Sequence, residues 1–158
     1  MRKKQYTGRS MLYKIREHIT TTLRNYAEDH YIVYCIIRRS ENPSAEEMWF
    51  YHTAAGVLNH IAEDIRAYLT DIIQTKSYKG MTDYAILQYL SGQFLLLIEH
   101  STFKINAESF EDCAVFDLYM TNLSAMHQVI GIASSFVQDY IYSLLRHEMV
   151  PYFNEIYG

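Results

Sequence analysis

Residues 48–72 read MWFYHTAAGVLNHIAEDIRAYLTDI. Apolar side chains fall at Met48, Tyr51, Ala55, Leu58, Ala62, Ile65, Leu69 and Ile72, in alternating steps of three and four. That spacing holds one seam of an α-helix against a partner helix, as in a bundle or short coiled coil. A second seam runs Cys113, Phe116, Met120, Leu123, His127, Ile130, Ser134, Val137, Ile141 and Leu144. Only two prolines and six glycines interrupt the chain, and no Asn-Gly or Asp-Gly hairpin signal occurs. Ile32–Ile37 has strand propensity, yet it continues a helical stripe and has no second strand to pair with. The pattern predicts an all-α fold, a bundle of about five helices.

The helix limits follow from caps and breakers. Ser10 opens a first helix over about 10–37, with the stripe Leu12, Ile15, Ile19, Leu23, Tyr26, His30, Val33 and Ile37. The Thr20–Thr22 run is poor helix stock and predicts a kink. Pro43 precedes the capping box of Ser44 and Glu47, which starts a helix over about 45–74. Gly80 reads as its terminator and Thr82 as the cap of a third helix over 83–100, followed by a loop at Ser101–Asn106. A single helix from Cys113 to Leu144 would be ~48 Å long, against a radius of gyration of ~15 Å for a compact chain of this length. A break near Asn122–Ser124 is therefore expected, giving helices at 109–121 and 125–149. Pro151 ends the last one. Residues 1–158 read as a single domain, with a basic flexible tail at 1–9 and a short aromatic tail at 151–158.

Bulk composition narrows the function. Hydrophobic residues make up 49% and charged ones 20%, enough apolar content to fold. The formal charge of −4 argues against nucleic acid as the main partner. The most apolar window, Ile86–Ile98, falls short of the ~20 residues that span a bilayer, so no membrane span is expected. No long apolar stretch follows the basic start, and Cys35 and Cys113 lie far apart in apolar runs. Free thiols in a reducing cytoplasm are the expected state.

Chemistry-bearing patterns are sparse. Bundle metal sites need ligands one turn apart, whereas most His–carboxylate pairs here are adjacent in sequence, as in Asp29–His30 and Glu99–His100. His60 with Glu63 and Asp64 is the nearest approach to a site, and it lies off the seam. No metal and no cofactor is expected. No nucleophile elbow, P-loop or dinucleotide-binding glycine pattern occurs, so an enzyme is not the first reading. His30 and His127 fall on apolar stripes, as core histidines satisfied by a carbonyl or hydroxyl or as ligand contacts. Fifteen tyrosines and seven phenylalanines suit interfaces and semi-polar pockets.

One string looks catalytic. Arg24-Asn25-Tyr26-Ala27-Glu28-Asp29-His30 resembles the Arg-x(4–6)-His motif of HEPN-type ribonucleases, which are all-α and often dimeric. The resemblance implies Arg24 and His30 at the scissile phosphate of RNA, with Asn25 beside the arginine. In that family the motif stands late in the bundle; here it lies in the first helix.

The leading expectation is a non-enzymatic helical interaction or regulatory module that binds protein, as a homodimer. The third helix supports it, being apolar on nearly every side and so needing cover on several. Interface candidates are Trp49, Phe50, Leu95 and Tyr140. One alternative is a sensor holding a small apolar ligand in the bundle core, lined by Phe94, Leu97, Phe116, Met120, Met126 and His127. The other is the ribonuclease.

Overall fold

Two side-chain caps set the middle of the chain. Ser44 is extended (φ −74°, ψ 119°) and its Oγ accepts the Glu47 N–H at 3.2 Å, which starts one helix at Ala45. Thr82 Oγ1 accepts the Ala85 N–H at 3.1 Å and starts the next at Asp83. A computed structural model describes residues 8–108 and 123–157, with side chains placed over 8–100 and 127–147. It shows an all-α bundle with four described helices: α1 Gly8–Arg38, α2 Ala45–Thr75, α3 Asp83–Glu108 and α4 Leu123–Tyr157. The helix expected at 109–121 lies outside the described residues.

Several boundaries differ from those the sequence predicts. Gly8 and Arg9 are already helical, so the basic tail is shorter than 1–9. α1 continues unbroken through Thr20–Thr22, because Ile19 and Leu23 are both sealed in the core and packing outweighs local propensity. α3 runs on through Ser101–Asn106 to Glu108. α4 passes through Pro151 to Tyr157, so the aromatic tail is helical; proline's fixed φ is compatible with a helix and forfeits one backbone bond. Lys76, not Gly80, takes the left-handed position that ends α2, at φ 58°. Gly80 follows in the turn at φ 83°.

Neighbouring helices run antiparallel. His30 of α1 stacks 5.8 Å from Tyr51 at the start of α2, while Arg16 reaches Thr70 near its end. Tyr68 of α2 meets Phe94 of α3, and His18 of α1 meets Tyr140 of α4. All four helices feed one core cluster. α2 contributes two adjacent stripes: the predicted seam of Ala55, Leu58, Ala62, Ile65, Leu69 and Ile72, and a second of Ala54, Val57 and Ile61. It touches α1, α3 and α4. On α4 the buried stripe is Val129, Ala133, Val137 and Ile141, in steps of four. Of the predicted seam, Val137 and Ile141 are buried and Ile130 and Leu144 pack against the core, while His127 is exposed and Ser134 half-buried, because Val129 and Ala133 take the inward positions one residue away.

Lys76 supplies a prediction. A side chain in the left-handed region costs ~1–2 kcal/mol, part of which glycine's extra unfolded-state freedom offsets. Lys76→Gly is expected to stabilise the fold by ~0.5–1 kcal/mol, seen as a higher urea midpoint at unchanged slope.

Candidate functional site

Charge divides this bundle into two halves. On the outside of α1 and α2, Glu17 Oε2 accepts from Arg16 Nε at 3.0 Å and from Arg66 Nη1 at 3.1 Å, and Arg24 pairs with Glu63. The Arg16 hydrogen bond, opposed by partial burial and reinforced by Arg66, holds the Glu17 carboxyl below the usual carboxylate range. A carboxyl lowered in the folded state stabilises above its unfolded pKa and loses that contribution as pH falls through the folded one. Exposure keeps it small. Glu17→Gln is therefore expected to cost under ~1 kcal/mol at pH 7 in urea titrations, less in high salt, and nothing in strong acid.

The middle stretches of α3 and α4 have no charged residues from which to build such a network. From Tyr84 through Ile98 no residue is charged, nor is any from Leu123 through Gln138. α3 turns Ile86, Leu87, Leu90, Phe94 and Ile98 inward. Its outward ridge is Gln88, Tyr89, Gly92, Leu95 and Leu96, with Leu96 59% and Tyr89 51% exposed. On α4, Ile132 and Tyr142 are 55% and 61% exposed. A Cβ added at Gly92 or Gly131 would meet nothing within 4 Å, so bare backbone faces outward on both helices. The four helix-surface neighbours of Gly92 are Gln88, Tyr89, Leu95 and Leu96, which frame a shallow hole.

Two grooves follow the α3–α4 seam. Tyr84, Gln88, Tyr142 and Leu145 line one; Leu95, Ile98, His127 and Gly131 line the other. The polar groups here are satisfied along their own helices: Gln88 Nε2 donates to Tyr84 Oη at 3.0 Å and Gln138 Nε2 to Ser134 Oγ at 3.2 Å. The charges that line these grooves, Arg146 in one and Glu99 in the other, stand outside the charge-free runs 84–98 and 123–138, so a partner centred on Gly92 covers the ridge without stranding a charge. Ile32 and Ile36 at the end of α1 are also exposed, but Asp29, Arg38 and Arg39 stand among them.

The sequence-derived candidates scatter. Leu95 lies on the outward face of α3. Trp49 and Phe50 are half-buried against the core, and Tyr140 turns inward to stack 4.3 Å from His18. Phe94 is sealed in the core, Leu97 is half-buried and His127 is exposed on α4. None of the grooves described here is lined by both Phe94 and His127. Phe116 and Met120, like Cys113, lie outside the described residues, as does the Met126 side chain. Arg24 is engaged by Glu63, whereas His30 Nδ1–H donates to the Tyr26 carbonyl at 2.9 Å among the rings of Tyr26, Phe50 and Tyr51. The structure thus commits the two residues of the ribonuclease-like motif to different contacts. His60 Nε2 sits 3.6 Å from Asp64, and among the described residues no three His, Cys, Asp or Glu side chains cluster as a metal site. Spacing alone could not reveal the bare glycines or the charge-free pair of helices as one surface; the missing information was which helices are neighbours.

No family model, curated protein or solved structure matches this chain.

Proposed function

We propose that the chain is a non-enzymatic helical module that acts by protein binding, and that the outer face of α3 and α4 joins two copies into a homodimer. The observation that carries this reading is the exposed, charge-free ridge centred on Gly92. Interface centres are depleted in charge and enriched in aromatic side chains, as this face is. Two copies of a chain with net charge −4 repel where their charges meet. They repel least where neither copy carries any.

The ridge also suits a two-fold operator. If two α3 helices cross antiparallel near Gly92, each lays Leu95 or Leu96 over the partner's glycine hole, and the same residues serve on both sides. The bare backbone at Gly92 permits a close approach, so dispersion contacts add to the apolar area removed from water. No described helix is long and apolar enough to cross a membrane. Cys35 is a free, half-buried thiol, a state that suits a reducing compartment such as the cytoplasm.

Light scattering coupled to size exclusion tests the reading. The wild type is expected to elute as a dimer at micromolar concentration. Leu96→Glu places a carboxylate at the centre of the face and is expected to give a monomer with unchanged helical circular dichroism. A wild type that stays monomeric at high micromolar concentration, or a Leu96→Glu variant as dimeric as wild type, overturns the proposed interface.

A further inference from the structure

The turn that joins α2 to α3 holds a solvent-open cavity of about 380 Å³. It falls within the ~300–1,000 Å³ range of small-molecule sites. Three tyrosines line it, Tyr68, Tyr78 and Tyr89, together with the exposed carboxylate of Asp71; Ile72 and Leu90 supply apolar wall. This mixture is unlike the α3–α4 grooves, whose described lining includes no comparable ring cluster.

The lining residues themselves carry only negative charge, while Arg9 stands near Tyr78 without lining the cavity. Tyrosine rings present negative faces, and a cation within ~6 Å of a ring centroid is attracted to them. Asp71 adds a full negative charge one turn before Thr75, the last residue of α2, where the final carbonyls carry the negative end of the helix dipole. No basic residue occupies that last turn, and Lys76 and Lys79 on the connecting turn are not among the lining residues. The Tyr68 hydroxyl is sealed from solvent beside Tyr89. Burial, with Tyr89 and Asp71 close by, pushes that phenol well above its ordinary value, so it stays a neutral donor. The Tyr78 wall is fixed from behind: Gly8 at the start of α1 lies so close that an added Cβ would stand 2.9 Å from the ring.

We propose that this cavity binds a small alkyl-substituted ammonium ion, its charge against the tyrosine rings and Asp71 and its alkyl groups on Ile72 and Leu90. A bare metal ion is a poor match, because one carboxylate and three phenols give too few oxygen ligands for a hard cation. A neutral apolar molecule would leave Asp71 and the helix end without a counter-charge.

Choline, tetramethylammonium and the neutral choline isostere 3,3-dimethyl-1-butanol, titrated into the full chain and followed by tyrosine-ring NMR shifts, separate these cases. Both cations are expected to bind and to shift resonances of the cavity tyrosines, with the neutral isostere about tenfold weaker. Asp71→Asn, at an exposed position, is expected to weaken choline several-fold while thermal unfolding is unchanged. Tyr89→Leu keeps apolar bulk but removes a ring, and is expected to weaken the cations more than the isostere. Equal binding of choline and its isostere, no binding of either cation, or an Asp71→Asn variant that binds choline like wild type overturns the proposal. The oligomeric state, measured on the same samples, is read separately, so failure of this site and failure of the dimer are distinguishable.

Discussion

The double apolar stripe of α2 is the constraint from which the remaining structure follows. Leu58, Ile61, Ile65 and Leu69 are wholly buried, and alanines at 54, 55 and 62 let neighbouring helices approach closely. Between them the two stripes serve contacts with α1, α3 and α4, the most extensive being with α1. Burying side chains of this kind contributes ~1.5–3 kcal/mol each before the entropy of ordering them is set against it. α3 packs against α1, α2 and α4, and these contacts do not use up its apolar residues. A helix as apolar as α3 then has no choice but to show Tyr89, Leu95 and Leu96 to the outside.

That outcome explains the division of charge. α1 and α2 behave as ordinary surface helices, with ion pairs tying their polar faces together across the hairpin. α3 from Tyr84 through Ile98 and α4 from Leu123 through Gln138 lack even the scattered lysines and glutamates that keep most helical surfaces hydrated. Covering a charged face costs the desolvation of each ion, whereas covering this one releases water from apolar and ring surface and leaves Gln88 and Gln138 bonded within their own helices. The asymmetry therefore lowers the cost of association on one side of the molecule and raises it on the other.

Much of the fold was legible because it rests on short-range rules. The three-four spacing of α2, the Ser44–Glu47 box and the Thr82 cap all act within one helical turn. The readings that moved depend on what lies across the core. His127 and Ser134 satisfy the seam spacing as well as Val137 does, but only Val129, Ala133, Val137 and Ile141 present the continuous four-step ridge that packs. Lys76 adopts a left-handed conformation although Gly80 stands four residues on, because the turn geometry is set by the two helices it connects. At the candidate site, Leu95 was visible as an excess of apolar residues on α3. The aromatics Trp49, Phe50 and Tyr140 were equally conspicuous, yet they are used inward. Residue type marks a side chain as suited to an interface, and the helix–helix arrangement decides whether that interface is internal.

Tyr89 belongs to both surfaces. It borders the Gly92 hole on the outward ridge of α3 and lines the cavity at the α2–α3 turn. Half of its surface is exposed, so its ring has freedom that either a bound cation or an apposed helix would remove. A cation that orders the ring toward the cavity changes what the ridge presents to a second copy. By linkage, any factor by which a cation alters self-association is the factor by which self-association alters cation affinity. With the dimer and the cation site both as proposed, this shared, half-exposed tyrosine is the physical route by which occupancy of the cavity is read out as assembly.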